Sequence, residues 1–276
     1  KLMIEVKDLR KSFDGVEVLK GITTTFETGK VNLVIGQSGS GKTVFLKSLL
    51  NVYEPTSGHI LFDGRDIVGM SRQEKEALRA EIGTVFQGSA LFDSMTVQDN
   101  IMFPLDMFTN LTFTEKKKRV KEVIGRVHLE NAEKKFPSEI SGGMQKRVAI
   151  ARAIVNNPRY LFCDEPNSGL DPYTANVIDD LIAEITEEYN TTTIINSHDM
   201  NSVMTIGEKI VYLRKGIKEW EGTKDILITS DNNYLIDFVY SSELFKELRE
   251  YLIKINKTSI DNIITTVENE TDQENI

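Results

Sequence analysis

Apolar and polar residues alternate with a period of two in several short segments of the chain, the pattern of half-buried strands. The first are MIEVKDL (3–9) and GITTTFETGKVNLVIG (21–36), and the polar residues ETGK predict a turn inside the second. Four further segments predict strands or strand pairs: HILFDGRDI (59–67), YLFCDE (160–165), TTTIINSH (191–198) and KIVYLRKGIKEWEG (209–222).

Helices are predicted where a 3.6-residue apolar period follows a capping residue. Ser71 with Glu74, and Thr112 with Glu115, have the spacing of capping boxes. Asp171 precedes Pro172, which is the N-cap and first-turn pair of a helix start. The predicted helices are TVFLKSLLNVY (43–53), a segment from Ser71 to about Glu81, a segment with Val120, Val123, Ile124 and Val127 on one face, MQKRVAIARAIV (144–155) and PYTANVIDDLIAEITEEY (172–189).

The order of these elements predicts an α/β fold with a parallel core sheet and an antiparallel β layer at the N-terminus. Helical signals dominate residues 88–155, where we expect an α-helical subdomain inside a main domain spanning 1–225. Residues 226–276 form a predicted extension. It contains one or two helices in YLIDFVYSSELFKELREYLIKI (234–255) and a disordered acidic end, VENETDQENI (267–276).

The composition of the chain excludes several classes of protein to which it could belong. The chain has 276 residues, of which 40% are hydrophobic, so it can bury a core. Its net charge of −9 disfavours nucleic acid as a partner. The single cysteine, Cys163, excludes an internal disulfide and a zinc cluster, and we interpret it as a small buried residue. No apolar run reaches the roughly 18 residues that span a bilayer, and no signal peptide is evident.

Residues 36–43 read GQSGSGKT, a complete phosphate-binding loop between a predicted strand and a predicted helix. Glycines allow backbone N–H groups to surround phosphates, Lys42 reaches the β and γ phosphates, and the Thr43 hydroxyl is suited to Mg²⁺. A chance glycine turn is the alternative. The predicted nucleotide-binding residues here are Gly36, Gln37, Ser38, Gly39, Ser40, Gly41, Lys42 and Thr43.

Two carboxylates follow at the tip of the predicted strand YLFCDE. Asp164 is placed to hold Mg²⁺, and Glu165 to orient or deprotonate a water. Acidic residues also end strands for no catalytic reason, but the phosphate-binding loop favours catalysis. No N-K-x-D sequence is present, so no guanine-reading motif competes with ATP as the nucleotide.

A second anion site is predicted at EISGGMQKRV (139–148). Ser141, Gly142 and Gly143 leave backbone N–H groups uncovered at the positive end of a helix. A glycine-rich helix start with no ligand is the alternative. The sequence alone therefore raises the question of which phosphate this helix end binds.

These motifs together resemble the ATP-binding subunit of ATP-binding cassette (ABC) transporters, over roughly residues 3–222. ISGGMQKR resembles the family signature, DEPNSGLDP the Walker B motif and D-loop, Gln87 the Q-loop, and His198 the switch histidine. The resemblance implies a P-loop NTPase fold of the ABC type. It also implies a homodimer in which Ser141, Gly142 and Gly143 contact the γ-phosphate held by the other subunit.

The same resemblance implies individual roles. Glu165, His198 and Gln87 are the implied catalytic residues, while Thr43, Gln87 and Asp164 are the implied ligands of Mg²⁺. Phe13 stands where the family has an aromatic that stacks on adenine, with core packing as the alternative. The chain departs from the pattern at Met144, where glutamine is usual, and at Gly169, where alanine is commoner.

The segment FQGSALFDSMTV (86–97), together with Met144, resembles the ATPases of the Mla and chloroplast TGD phospholipid systems. The resemblance implies two transmembrane permease subunits and an MCE-type lipid-binding protein as partners, with this subunit peripheral on the cytoplasmic face of the inner membrane. Leu91, Phe92, Met95 and Val97 either meet the permease or pack inside the helical subdomain. The alternative functions are a soluble ABC ATPase for assembly, of the iron–sulfur type, or a transporter of another substrate.

Overall fold

The computed structural model describes residues 3–241, 243 and 245–254. It divides the chain into two compact units, Lys1–Glu221 and Gly222–Ile276. The strands are β1 Met3–Phe13, β2 Val16–Glu27, β3 Lys30–Ile35, β4 Ser57–Phe62, β5 Arg65–Asp66, β6 Ile82–Val85, β7 Tyr160–Asp164, β8 Thr192–Ser197, β9 Lys209–Arg214 and β10 Ile217–Gly222. The helices are α1 Lys42–Leu49, α2 Arg72–Ala80, α3 Val97–Phe108, α4 Phe113–Arg126, α5 Gly142–Ile154, α6 Pro172–Tyr189, α7 Met200–Thr205, α8 Lys224–Ile228 and α9 Asn233–Val239.

Two sheets form the first unit. One has four strands in the order β2-β1-β4-β5, and its neighbouring strands pair antiparallel. The other has six strands in the order β10-β9-β3-β8-β7-β6, and it is parallel from β9 to β6. The prediction of an α/β fold with a parallel core sheet, an antiparallel N-terminal layer and helical elements is confirmed.

Between the sheets lies a core of buried aliphatic and aromatic side chains. Phe62 of the antiparallel sheet packs edge-to-face on Tyr160 of the parallel sheet, with ring centroids 4.9 Å apart. The Tyr160 hydroxyl donates to Asp63 at 2.6 Å, and Arg65 binds Glu81 through two 2.7 Å contacts. Because the polar ends of these side chains are paired, the two layers are fixed in register at the start of β7, the end of the strand opposite to Asp164.

Local capping signals are present where the sequence predicts them. Ser71 and Glu74 form a capping box at the start of α2, and Thr112 and Glu115 form one at α4. Asp171 caps α6 with Pro172 as its first residue. The helices α3, α4 and α5 lie within the predicted subdomain, and α3 and α5 pack together.

Some boundaries differ from the prediction. The first helix ends at Leu49 instead of Tyr53, because the chain turns at Asn51, which has a left-handed φ of 53°. The turn at Asp14 and Gly15, which joins β1 to β2, was not predicted.

In the second unit α9 and helical residues 245–254 fall in the segment where one or two helices are predicted, and the predicted acidic end lies outside the described residues. No helix within the described ranges has the length and apolar content required to span a membrane.

Candidate nucleotide-hydrolysing site

The loop of residues 36–41 connects the end of β3 to the start of α1. Gly36 is needed because a Cβ there would lie 2.3 Å from the Leu213 carbonyl oxygen. Gly41, the N-cap of α1, has a φ of 106°, which side chains rarely adopt. The loop therefore follows a path that only glycine permits, with backbone N–H groups at the positive end of α1.

Lys42 is the first residue of α1, and its side chain folds back onto this loop. Its ammonium group donates to the carbonyls of Gly36 at 2.7 Å and Gln37 at 3.3 Å. Burial lowers the pKa of Lys42, while the negative charges of Glu165 and Asp164 act in the opposite direction. The Ser40 hydroxyl is buried and has no hydrogen-bond partner among the described residues. These donors fit the phosphates of a nucleotide.

Asp164 and Glu165 emerge together where β7 ends. The Asn196 amide donates to Asp164 Oδ1 at 3.0 Å, and its own Oδ1 is buried without a partner in the described part of the chain. The Glu165 N–H donates to the Asn196 carbonyl at 3.0 Å, and Glu165 has a left-handed φ of 52°. Asn196 thus positions both acidic residues. Sequence reasoning missed this role, and its only signal was a polar residue at the end of a buried strand.

His198 lies beside Glu165. Its Nδ1 is 2.6 Å from Glu165 Oε2, although Oε2 receives no aligned hydrogen bond from the described residues. The contact is therefore a close approach of the two side chains and not a directed hydrogen bond. The His198 side chain is 64% exposed and that of Glu165 only 13%, so the histidine covers the carboxylate from the solvent side.

The loop after β6 carries Gln87, which is exposed. The Lys146 ammonium of α5 contacts the Gln87 carbonyl, and Arg152 of α5 donates to the carbonyls of Ser89 and Ala90 at 2.7 Å each. Burial lowers the pKa of both basic residues. The helix that begins at the predicted signature therefore holds the loop of Gln87, a connection between distant segments that the sequence did not reveal.

The SGG segment lies at the N-terminus of α5. Ser141 caps the helix by accepting from the Met144 N–H at 3.3 Å, and both Ser141 and Gly142 are exposed. A Cβ on Gly143 would approach Thr174 Cγ2 to 2.7 Å, which explains glycine there. No hydrogen bond or ion pair between described residues joins this segment to the loop of Lys42. The two predicted phosphate sites therefore share no such contact within the described part of the chain.

Phe13, at the end of β1, is 37% exposed. Its ring packs edge-to-face on Tyr53, at 5.1 Å between centroids, and the Lys11 ammonium lies 4.8 Å from its centroid. The ring is therefore supported by its neighbours yet accessible to a planar group. Its predicted stacking on adenine remains a prediction.

The residues predicted to meet a partner have different environments. Val97 is fully buried in α3, whereas Phe92 is 40% exposed and packs on Phe103 at 4.8 Å between centroids. A groove of about 270 Å³ lies beside them, and its apolar lining includes Phe86, Phe92, Phe103, Pro104, Met107 and Phe108. The prediction missed the α3 residues of this surface.

A phosphate-binding loop after β3, two consecutive carboxylates at the tip of β7 in the same parallel sheet and a histidine beside one of them define a P-loop nucleotide hydrolase. The family model described as ABC transporter matches residues 19–168, more than half of the chain. The chain belongs to the ABC transporter family and contains its ATP-hydrolysing, ATP-binding cassette.

Curated relatives agree with this family. The probable ribonucleotide transport ATP-binding protein mkl of Mycobacterium tuberculosis is 39% identical over 236 residues, covering 86% of this chain and 66% of the relative. The methionine import ATP-binding protein MetN of Corynebacterium diphtheriae is 36% identical over 244 residues, covering 87% of this chain and 72% of that protein. This chain therefore spans only about two thirds of the length of the mycobacterial relative.

Among solved structures, the dimeric bacterial ABC transporter cassette MJ0796 matches with a TM-score of 0.74 and 32% identity. The match covers 80% of this chain and 98% of that one. A second structure of MJ0796, a dimeric post-hydrolysis state bound to ADP and Pi, matches with the same TM-score and 31% identity.

Proposed function

We propose that the chain works as a pair of ATP-hydrolysing subunits, arranged head to tail, that energises a membrane transporter. The observation that carries this proposal is the helix N-terminus at Ser141, Gly142 and Gly143, whose N–H groups suit an anion and which has no hydrogen bond or ion pair to the phosphate loop among the described residues of its own chain. A second copy, related by a two-fold axis, brings this segment to the γ-phosphate of its partner. Each ATP then joins two subunits.

Within each composite site the residues have separate roles. The loop N–H groups, Lys42 and Ser40 bind the phosphates. Thr43, Gln87 and Asp164 supply oxygen atoms of the kind that Mg²⁺ prefers, and the bound ion would neutralise phosphate charge. Glu165 accepts a proton from the attacking water, and His198 holds that carboxylate in place from 2.6 Å.

The groove beside Gln87 is the proposed contact with two transmembrane permease subunits. Its apolar lining suits a short helix of a partner, and it adjoins the loop that Lys146 and Arg152 hold to α5. Movement of α5 on ATP binding would reach the permease through these bonds. In this arrangement the subunit is peripheral on the cytoplasmic face of the membrane.

The proposed substrate is phospholipid, carried with an MCE-type lipid-binding protein. The support is the resemblance of Met144 and of FQGSALFDSMTV (86–97) to the ATPases of such systems. Ribonucleotides and methionine are the competing substrates, because the names of the mycobacterial and corynebacterial relatives specify them. A soluble assembly ATPase would use the same catalytic residues without a permease.

The test is affinity purification of the full chain from detergent-solubilised native membranes, with proteins identified by mass spectrometry and lipids assayed. Recovery of a permease, an MCE-type protein and phospholipid would support the proposal. A different permease would remove the lipid assignment and keep transport. Soluble scaffold proteins alone would overturn the transport role.

A matched pair of variants locates the permease contact. Met107→Asp places a charge in the groove, where Met107 is 59% exposed, and should abolish recovery of the permease. Val68→Asp alters an apolar residue that is 48% exposed outside the groove, and should leave recovery unchanged. Equal recovery with both variants would exclude the groove as the contact.

A further inference from the structure

A buried polar cluster lies where the segment after Glu165 meets α6 and α7. At its centre is Asp179 of α6, which is only 3% exposed. The Asn167 amide nitrogen lies 3.2 and 3.3 Å from the two Asp179 carboxylate oxygens, 2.9 Å from Ser202 Oγ and 3.5 Å from Asp199 Oδ2. Ser202, also buried, bonds to the Asp179 carboxylate.

The cluster has fewer donors than acceptors. The Asn167 amide has two hydrogens and four acceptor atoms within reach, and two of its three partners are acidic. The titratable groups that face Asp179 are Asp199 of α7, the adjacent Asp180 of α6 and Cys163 of β7. None of the three supplies a positive charge. Burial is the main reason that the pKa of Asp179 is raised to about 6, whereas hydrogen bonds from Ser202 and Asn167 act to lower this pKa.

This cluster joins the two loops that flank the reaction. Asn167 follows Glu165 by two residues and belongs to the D-loop, which leads to the N-cap Asp171. Asp199 directly follows His198 and caps α7 by accepting from the Asn201 N–H at 2.9 Å. The Asp179 carboxylate on α6 therefore accepts hydrogen bonds from the D-loop, through Asn167, and from α7, through Ser202.

We propose that Asp179 is a positioning residue for ATP hydrolysis: its ionised carboxylate holds the D-loop, through Asn167, and the His198 loop, through Ser202, in one arrangement. The inference rests on the roles proposed above for Glu165, which directly precedes the D-loop, and for His198. An ionised carboxylate accepts both bonds at once. A protonated carboxyl group has a donor in place of one acceptor, and the link between the loops is weakened.

The first test compares Asp179→Asn with Asp180→Asn in the full chain. The amide resembles the protonated carboxyl group in shape and charge, and Asp180 is an exposed neighbour of the same chemistry. At pH 8, Asp179→Asn should lower kcat about tenfold and leave the KM for ATP within about twofold. Asp180→Asn should match the wild-type protein.

The pH dependence of the kcat ratio isolates Asp179. The ratio of wild type to Asp179→Asn should fall from about ten at pH 8 towards one at pH 5, because protonation makes the two proteins equivalent. Titration of ATP affects both proteins and cancels in this ratio. A ratio that does not change with pH, or a loss confined to KM, would overturn the proposal.

Stability separates positioning from simple packing. The pKa of Asp179 in the folded protein, about 6, lies above the usual carboxyl value. At a pH between these two pKa values, Asp179 is protonated in the folded protein and ionised in the unfolded one. Protonated Asp179 therefore contributes to the stability of the folded protein. This contribution is complete below the unfolded pKa and is lost as pH rises through about 6. Asp179→Asn should thus raise Tm by about 3 °C at pH 8 and change it little at pH 5. A lower Tm at pH 8 would assign Asp179 a packing role.

Ser202→Ala removes the same link from the other side. It should lower kcat, and the double variant with Asp179→Asn should lose no more than the single variants, because both act on one connection. Additive losses would overturn the shared link. Failure of the hydrolytic assignment itself is distinguishable, since Glu165→Gln would then retain activity.

Discussion

The two carboxylates at the end of β7 have different neighbours, and this difference separates their roles. Asp164 receives a hydrogen bond from Asn196, which fixes its orientation. Glu165 instead faces His198, and its Oε2 is left without an aligned donor from the described residues. A carboxylate oriented by a hydrogen bond suits a metal ligand, and one whose oxygen receives no aligned hydrogen bond suits a general base.

Glu165→Gln keeps the size of the side chain and removes the base. Hydrolysis should fall by at least about 100-fold, measured as phosphate release, because a general base contributes that much or more. ATP binding should persist, and the variant should accumulate as a dimer in Mg-ATP. The exposed Glu187→Gln is the control. A variant that remains monomeric at saturating Mg-ATP, even with membrane partners, would contradict the paired arrangement.

At this scale the sequence predicts roles for residues whose chemistry is encoded in short motifs, such as Lys42 and Glu165. It did not identify Asn196, Lys146 or Asp179. Their roles depend on contacts with segments that are far apart along the chain, as when Lys146 of α5 contacts the carbonyl of Gln87. Spacing within one segment contains no information about such contacts.

Among the elements, those with local start signals were predicted best. The capping boxes of α2 and α4 are complete within four residues, so the sequence alone defines them. Helix α3 was missed because Pro104 lies inside it and because its apolar residues face both the subdomain core and the groove. Tertiary packing determines such a helix more strongly than its pattern does.

The segment before α3 depends on one buried amide. Asn100 is fully buried, donates to the carbonyls of Phe92, Met95 and Thr96, and accepts from the Phe92 N–H at 2.8 Å. It therefore shapes the loop that presents Phe92 beside the groove.

Asn100→Ala should lower the free energy of unfolding by about 2 kcal/mol, because buried backbone groups lose their partners. It should also weaken recovery of the permease. Denaturant unfolding and the affinity purification described above measure the two effects. Asn110→Ala, at an exposed asparagine near the end of α3, should change neither. Unchanged stability in Asn100→Ala would refute the role of this amide.

For the whole molecule, the head-to-tail arrangement predicts complementation between two inactive variants. Lys42→Ala inactivates the phosphate loop. Ser141→Asp keeps a residue that caps helices well but places a negative charge against the γ-phosphate. Each variant alone forms pairs in which both composite sites are damaged.

A mixture of the two variants contains pairs with one intact site, formed by the loop of one chain and the signature of the other. ATPase activity of the mixture should therefore exceed that of either variant by about tenfold or more, depending on residual rates. Mixing Lys42→Ala with Lys42→Ala,Ser141→Asp leaves no intact site and is the control. No gain in the first mixture would show that loop and signature do not act across the pair.

The left-handed backbone at Glu165 has a consequence for the history of the protein. A φ of 52° is readily adopted by glycine or asparagine and less so by glutamate, so glutamate at this position carries a conformational cost. In a descendant released from the need to hydrolyse ATP, drift would favour glycine or asparagine here. Glycine or asparagine at this position in a related sequence would indicate a protein that binds ATP but no longer hydrolyses it.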